Sequence, residues 1–319
     1  MSARPGEFEL IAELFAPLTR GAPAALGLLD DAALIRLRQG HEFVVTSDGL
    51  VEGVHFLATD PPDTIARKAL RVNLSDLAAK GAEPVGYFLT LMLPQDRGFA
   101  WLKAFASGLA GDGECFEIPL LGGDTTATPG PFALSVTALG SVPKGRMIQR
   151  SGAKAGDLVF VSGTIGDAGA GLELLQGARS EPAELIQRYR VPEPRLRLGW
   201  ALRGLASAGL DVSDGLIADL GHIADVSGVA IEVKAELLPL APALRCHWGA
   251  EATVRAAVCG DDYELAFTAP ASRRTRVLAA AAGAGTAVTE IGRVEPGSGV
   301  HLLVRGQVHH LEKDGWRHF

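Results

Sequence analysis

The residues of this sequence best suited to chemistry are aspartates next to glycine or hydroxyl side chains. They stand where predicted strands or helices begin or end, and open α/β sheets place ligand sites at the carboxyl ends of strands. A single aspartate beside glycine is often a turn former or a helix N-cap, so each residue keeps that alternative. Together they indicate a site for metal and phosphate. These aspartates are Asp30, Asp31, Asp48, Asp76, Asp124, Asp211, Asp214, Asp261 and Asp262.

Two of these aspartates are flanked by other oxygen-bearing side chains. The runs are Thr46-Ser47-Asp48 and Gly122-Gly123-Asp124-Thr125-Thr126. Mg²⁺ prefers oxygen ligands, and adjacent glycines let a backbone approach a phosphate. Because phosphates and carboxylates repel one another unless a cation lies between them, the pattern predicts a magnesium-dependent phosphate site. Asp76 lies on a predicted helix, where a solvated surface carboxylate is the alternative.

Other familiar catalytic patterns are missing from the sequence. No Walker-type P-loop occurs. The turn Gly163–Asp167 could hold a phosphate at a helix N-terminus, although a structural turn is the favoured interpretation. There is no catalytic triad or zinc motif, and His55, His222 and His247 are isolated in the sequence. A lone histidine is more often structural than a ligand.

Strands and helices alternate in the first half, which predicts an α/β domain. The stretch from Pro143 to Gly156 is rich in Pro, Gly, Lys and Arg, and we place the domain boundary there. The N-terminal α/β domain, which carries most of the predicted magnesium and phosphate site, is predicted at 1–145, and the C-terminal α/β domain at 146–319. Strands are predicted at 32–37, 42–47, 85–93, 118–121 and 132–142, and helices at 63–80 and 101–109.

The second half repeats the mixture of strands and helices. The segment from Gly177 to Pro194 is predicted to be irregular because prolines punctuate it. Ser47-Asp48-Gly49-Leu50 reappears as Ser213-Asp214-Gly215-Leu216, which would fit two related halves. Strands are predicted at 158–162, 210–212, 230–233, 263–268, 287–294 and 300–304, and helices at 167–176, 196–206, 216–226 and 272–282.

Composition excludes several classes of protein. With 319 residues and 47% hydrophobic content, the chain can bury a sizeable core and suggests two domains. The formal charge of -7 argues against a nucleic-acid surface, which needs a basic patch. Three scattered cysteines argue against a disulfide framework and favour a reducing cytoplasm. Neither a signal peptide nor a membrane span is predicted.

A set of motifs in fixed order resembles the thiamine-monophosphate kinase family and covers essentially the whole chain. In order, the motifs are Gly6-Glu7-Phe8, Asp30-Asp31-Ala32-Ala33-Leu34, Thr46-Ser47-Asp48 with His55, Asn73-Leu74-Ser75-Asp76-Leu77-Ala78-Ala79, Gly122-Gly123-Asp124-Thr125-Thr126, Arg150-Ser151-Gly152-Ala153, Asp211-Val212-Ser213-Asp214-Gly215-Leu216, Asp262-Tyr263-Glu264-Leu265 and the C-terminal Trp316-Arg317-His318-Phe319.

The resemblance implies a fold, a reaction and a set of site residues. The fold is that of the aminoimidazole ribonucleotide synthetase superfamily, a homodimer whose N-terminal domains pair. The reaction forms thiamine diphosphate from thiamine monophosphate and ATP. The implied contacts are His55 and Trp316 for thiamine phosphate, and Gly123, Asp124, Arg150 and Ser213 for ATP. The implied magnesium ligands are Asp31, Thr46, Ser47, Asp48, Asp76, Asp124, Asp211 and Asp214.

One position departs from the family pattern. The family reads Gly-Gly-Glu-Asp-Tyr-Glu-Leu where this chain has Cys259-Gly260-Asp261-Asp262-Tyr263-Glu264-Leu265, so Asp261 replaces a substrate-contacting glutamate. Selenophosphate synthetases fit less well because they use a reactive Cys or selenocysteine near the N-terminus. An amidine-forming purine synthetase, a metal-dependent phosphatase and a non-catalytic nucleotide-binding module remain as alternatives.

Overall fold

The computed structural model describes residues 6–311 and 314–316. Contacts between residues divide the chain into two compact units. The first consists of Met1–Leu77 and Glu83–Gly145, and the second of Ala78–Ala82 and Arg146–Phe319. Among the described residues, no helix is both long and apolar enough to cross a membrane.

The first unit is built around a four-stranded sheet in the order β1-β4-β2-β3. Strand β4 runs antiparallel to both β1 and β2, and β2 and β3 run parallel. A π-helical turn, Ile11–Phe15, and two 3-10 turns, Ala16–Thr19 and Pro23–Leu28, follow the first helix. The elements are α1 (Glu7–Leu10), β1 (His41–Val51), α2 (Pro62–Ala79), β2 (Glu83–Leu93), α3 (Phe99–Cys115), β3 (Leu120–Ala127) and β4 (Ala133–Pro143).

The second unit carries a seven-stranded sheet in the order β11-β10-β7-β9-β5-β8-β6. Three 3-10 turns lie at Ala235–Leu237, Gly249–Glu251 and Ala271–Arg273. Its strands are β5 (Asp157–Ser162), β6 (Ala208–Asp211), β7 (Ala230–Lys234), β8 (Leu265–Pro270), β9 (Val288–Glu295), β10 (Gly299–Val304) and β11 (Gln307–Val308). Its helices are α4 (Asp167–Gln176), α5 (Ala183–Arg190), α6 (Leu196–Leu202), α7 (Leu216–Ser227), α8 (Pro242–Trp248), α9 (Ala252–Val258) and α10 (Arg274–Gly283).

The two faces of the first sheet differ in burial. Along β1, Val44 and Leu50 are buried whereas Phe43 and Val45 are exposed, because successive side chains point to opposite faces. The α2 helix lies on the buried face, since the Thr46 hydroxyl of β1 donates a hydrogen bond to Asp76 of that helix. We call the opposite face the open face, because Phe43 and Val45 of β1 are exposed there among the residues that the structure describes.

Two of the predicted elements are wrong. No strand forms at 32–37, because this segment pairs with none of the four strands of the first sheet. The segment from Gly177 to Pro194 is not irregular throughout, since it contains α5. Pro182 occupies the N-cap of this helix, where the missing N–H costs nothing, and Leu185, Ile186 and Tyr189 form its buried face.

The repeated Ser-Asp-Gly-Leu sequence does not mark equivalent elements. Its first copy lies inside β1, so Asp48 has an extended backbone within a sheet. Its second copy forms the turn after β6, with Gly215 at φ 133° and Leu216 as the first residue of α7. Four shared residues therefore adopt two local structures, and the repeat gives no support for two related halves.

Candidate active site

In the first unit, a threonine and two aspartates meet between β1 and α2. Thr46 and Asp48 share one face of β1, and the Thr46 hydroxyl donates to Asp76 Oδ2. Burial, together with the negative charge of Asp76, raises the pKa of Asp48 to about 6. Two carboxylates that repel one another beside a hydroxyl form an all-oxygen donor set, which suits a hard cation such as Mg²⁺.

Ser47 lies on the other face of the same strand. Side chains alternate along β1, so Ser47 points away from Thr46 and Asp48. Its hydroxyl is 2.8 Å from the Thr137 hydroxyl on β4. Of these three consecutive predicted metal ligands, Thr46 and Asp48 therefore belong to one group. The Ser47 side chain lies apart from that group.

A second group of carboxylates lines a cavity of about 450 Å³ in the first unit. Asp30, Asp31 and Asp124 contribute to its wall together with apolar residues such as Phe15 and Leu28. Cavities of roughly 300–1,000 Å³ are typical of small-molecule sites. Asp124 is exposed, and its Oδ1 accepts a hydrogen bond from the Thr125 N–H at 2.8 Å. The structure thus brings two predicted metal ligands, Asp31 and Asp124, to one cavity.

Gly123 is required by the packing of two strands. Its φ is 157°, and a Cβ at this position would lie 1.8 Å from the Leu89 carbonyl oxygen of β2. A side chain is therefore excluded by the sheet itself. Close approach of a phosphate is not needed to explain glycine at this position.

His55 lies in the turn that follows β1 and is fixed at two points. Its Nδ1 accepts a hydrogen bond from the Val51 N–H at 3.0 Å, and its carbonyl accepts one from the buried Lys68 ammonium at 2.9 Å. Because Nδ1 is an acceptor, the neutral ring carries its proton on Nε2. This places a ring N–H donor on a turn of defined conformation.

In the second unit, the predicted site residues gather around the turn that follows β6. Asp211 is the last residue of that strand and is buried. Asp219 Oδ2 accepts hydrogen bonds from the N–H groups of Ser213, Asp214 and Gly215 at 3.0, 3.0 and 3.1 Å. Burial raises the pKa of Asp219 to about 7, and the Asp214 charge adds to this effect against the opposing backbone hydrogen bonds.

Two predicted substrate residues, distant in sequence, bind consecutive carbonyls of this turn. The Asp261 N–H donates to the Ser213 carbonyl at 2.8 Å, and the Trp316 N–H donates to the Asp214 carbonyl at 2.9 Å. Asp261 has a φ of 68°, in the left-handed region that aspartate tolerates better than most residues. The backbone of one turn therefore connects Asp214, Asp261 and Trp316.

Two further residues, Asp219 and His222, belong to this group but were not predicted from the sequence. Asp219 and His222 offer ligand atoms that lie, with one from Asp214, within 4.8 Å of one another. The sequence suggested that His222 is isolated, but in the fold it lies close to Asp214 and Asp219. An acid and a histidine three residues apart on a helix share a face, and that spacing shortly after Asp214 was the available signal.

Asp262 has a structural role. It is 1% exposed, and its two oxygens accept hydrogen bonds from the Gly166 and Ala168 N–H groups at 2.6 and 3.2 Å. Burial raises the pKa of Asp262 well above its usual value. These contacts hold the turn Gly163–Asp167 and the start of α4, so that turn already uses amides that a phosphate would need.

Glu264 belongs to a buried ionic network in the same unit. Its carboxylate is 2.8 Å from a guanidinium nitrogen of Arg188 and 2.6 Å from one of Arg195, and it accepts a hydrogen bond from the Ser162 hydroxyl at 2.5 Å. The Asp262-Tyr263-Glu264 motif therefore supports the turn that carries Asp261.

Arg150, a predicted ATP contact, is exposed in the segment that precedes β5.

Comparison with family models and known proteins gives a consistent result. Residues 29–142 match the N-terminal domain of AIR synthase related proteins, and residues 154–305 match the C-terminal domain. The chain is 47% identical to a thiamine-monophosphate kinase of Caulobacter vibrioides over 99% of its own length and 92% of that protein.

Solved structures extend the comparison. A thiamine-monophosphate kinase from Stenotrophomonas maltophilia K279a superposes with a TM-score of 0.87 at 43% identity, covering 95% of this chain and 98% of that one. A second structure, AaThiL complexed with AMPPCP and TMP, has a TM-score of 0.80 at 36% identity over 98% of this chain and 97% of that chain.

Proposed function

This chain belongs to the thiamine-monophosphate kinase family, and we propose that it transfers the γ-phosphate of ATP to thiamine monophosphate, giving thiamine diphosphate and ADP. The observation that carries the proposal is the likeness over nearly the whole chain to a family structure complexed with AMPPCP and TMP. That complex holds an ATP analogue and a phosphate acceptor together. In this chain, the carboxylate groups of the first unit and the turn after β6 supply side chains suited to binding such phosphate-bearing ligands with a cation.

We propose Mg²⁺ as the cation of this enzyme. The residues present fit it, because the donors around Asp48 and Asp76 are all oxygens and the two carboxylates repel one another without a positive charge nearby. In the first unit, the residues that would hold magnesium are Asp31, Thr46, Asp48, Asp76 and Asp124, and in the second unit they are Asp211 and Asp214. Ser47 is left out of this set, because its side chain lies on the other face of β1. When bound, the cation relieves repulsion between the two phosphate-bearing substrates.

The substrate contacts are proposed residue by residue. Gly123, Asp124, Arg150 and Ser213 bind ATP, and His55, Asp261 and Trp316 bind thiamine monophosphate. For His55, the Nε2–H that follows from its Val51 hydrogen bond would donate to an acceptor on the substrate. For Trp316, the exposed indole offers an aromatic face to the cationic thiazolium.

No general base is needed for this reaction. A phosphate monoester has a second pKa of about 6, so its oxygen is already an anionic nucleophile at neutral pH. The work of the protein is then to align the two phosphates and to offset their charge. We therefore propose direct in-line transfer without a phosphoenzyme intermediate.

A coupled assay with ATP, magnesium and thiamine monophosphate tests the function. We expect ADP to form with thiamine monophosphate and not with free thiamine, which lacks the nucleophilic phosphate. Phosphate release from ATP without an acceptor would instead indicate a phosphatase. ATP binding without turnover would indicate a nucleotide-binding module.

We also propose that the enzyme is a cytoplasmic homodimer that pairs through the open face of the first sheet. Outward positions on antiparallel sheets are usually polar, whereas this face carries Phe43, Val45, Phe88, Met92 and Leu139. An exposed apolar face of this kind is typical of a protein interface. The three cysteines are free thiols, as a reducing cytoplasm would keep them.

A further inference from the structure

The end of the described chain is attached to the start of α7 by two backbone hydrogen bonds. The Trp316 N–H donates to the Asp214 carbonyl at 2.9 Å, and the Ala218 N–H donates to the Asp314 carbonyl at 3.1 Å. One bond lies on each side of Gly315. The segment 314–316 therefore docks across the first turn of the helix, with Gly315 at the point of closest approach.

Gly315 stands where no side chain fits. A Cβ at this position would lie 2.6 Å from the Ala218 Cβ and 2.7 Å from the Asp214 carbonyl oxygen. Both are far below ordinary van der Waals separation, and neither atom can rotate away, since one is backbone and the other is a methyl group attached to it. Gly315 is not among the glycines with positive φ, so the position demands space and not an unusual backbone conformation.

The surface beneath Gly315 is itself held in place. Asp219 accepts hydrogen bonds from the N–H groups of Ser213, Asp214 and Gly215, and the Asp261 N–H binds the Ser213 carbonyl. A side chain at position 315 would consequently displace the tail and leave the turn where it is. The residue attached directly to that tail is Trp316.

Trp316 combines an anchored backbone with an accessible ring. Its N–H is bonded to Asp214, yet the residue is 57% exposed. An indole carried on an anchored backbone and open to solvent offers a flat face, which suits a cationic heteroaromatic ring. We infer that Gly315 is a positioning residue: by allowing the C-terminal segment to dock on α7, it holds Trp316 beside Asp214 to bind the thiazolium of thiamine monophosphate. This inference rests on the proposed function.

The first test is Gly315→Ala. We expect the KM for thiamine monophosphate to rise about 2- to 30-fold, the range of one cation–π contact, while kcat and the KM for ATP stay within about twofold. Gly221→Ala on the same helix is the matched control, because a Cβ there would meet nothing within 4 Å, and it should leave every constant unchanged. Unchanged kinetics in Gly315→Ala, or equal losses for both substrates, would overturn the inference.

A double-mutant cycle with Trp316→Ala separates positioning from general damage. Trp316→Ala alone should raise the KM for thiamine monophosphate more than that for ATP. If Gly315 acts through Trp316, adding Gly315→Ala to Trp316→Ala should cause no further loss. Additive losses would show that Gly315 acts by another route.

Hydrogen exchange gives a readout that does not depend on the reaction. The Trp316 and Ala218 amides should exchange faster in Gly315→Ala than in the Gly221→Ala control, because both lose their docking partners. Equal exchange rates would overturn the docking role even in an active enzyme. An absence of kinase activity in the wild-type protein, with faster exchange in Gly315→Ala, would refute the proposed function and leave the docking role intact.

Discussion

At the scale of single residues, the two carboxylate groups of the first unit make distinct contributions. Asp48 lies between β1 and α2 beside Asp76, whereas Asp124 lines the cavity that also includes Asp31. Both are proposed to hold magnesium, and an amide at either position removes one negative charge without changing size. The two sites can therefore be tested with variants of the same kind.

We expect Asp48→Asn and Asp124→Asn each to lower turnover by at least about 100-fold, because preorganised charge at a phosphoryl-transfer site is commonly worth that much. Both folds should remain intact by circular dichroism. Asp225→Asn, an exposed aspartate of α7, is the control and should be fully active. Near-normal turnover of both variants at saturating magnesium would contradict the metal assignment.

The raised pKa of Asp48 gives a prediction for the metal-free protein. Because the folded state favours the neutral carboxyl, ionising it as pH rises from about 4 through about 6 lowers stability. In EDTA, the unfolding free energy of the wild-type protein should therefore fall by about 1–3 kcal/mol between pH 4 and 7.5 because Asp48 ionises. Asp48→Asn should not show this decrease. Urea unfolding at both pH values measures it. Parallel pH profiles for the two proteins would refute the environment assigned to Asp48.

Asp261 and Asp262 are adjacent, but we expect substitutions at Asp261 to affect substrate binding and substitutions at Asp262 to affect stability. Asp261→Asn keeps the preference for a left-handed φ and removes only the charge, so it should raise the KM for thiamine monophosphate and leave ATP binding unchanged. Asp261→Glu should remain active. Asp262→Ala should instead lower the unfolding free energy by about 1–3 kcal/mol, since two buried N–H groups lose their acceptor. A selective substrate defect in Asp262→Ala alone would reverse the assignment.

At the scale of elements, the Glu264 network joins β5, α5 and the start of β8. Arg188 lies on α5, Arg195 precedes α6, and Ser162 ends β5. Glu264 is 0% exposed, so its charge must be compensated by protein partners, and among the described residues Arg188, Arg195 and Ser162 do this. The network thereby fixes the segment that places Asp261 on the Ser213 carbonyl.

Glu264→Gln should be strongly destabilising, by about 3 kcal/mol or more, because it leaves two partly buried guanidinium groups without their buried counter-charge. Glu290→Gln provides the comparison, since Glu290 pairs with Arg274 at the surface and such pairs are worth less than about 1 kcal/mol. Chemical denaturation of both variants measures the difference. Equal, small losses would mean that the buried pair contributes no more than a surface one.

The elements also show what a sequence can and cannot predict. Helix α4 was predicted at 167–176 and is found at those residues, because glycines flank a clear apolar period. Strand β8 was predicted to begin at Tyr263 but begins at Leu265, since Asp261 and Tyr263 both have positive φ. The role of Asp262 could not be predicted, because the amides that it binds belong to α4, far away in the sequence.

At the scale of the whole molecule, the open face of the first sheet exposes apolar side chains that nothing within one chain covers among the described residues. On the edge strand β1, Val45 of this face is 60% exposed, whereas the neighbouring Val44 is buried. In β4, Leu139 pairs with Val45 and is only half-buried. A second copy of the chain would cover this apolar strip and remove it from water.

The dimer can be tested with one charge on that strip. We expect wild-type protein to run at twice the 33.3 kDa chain mass in size-exclusion chromatography with light scattering, and Val45→Lys to run as a monomer, because the lysine would be desolvated on pairing. Val226→Lys is a matched control, since Val226 is 58% exposed but lies on α7 of the second unit, and should leave the dimer intact. A wild-type monomer, or a Val45→Lys protein that remains dimeric, would exclude this face as the interface.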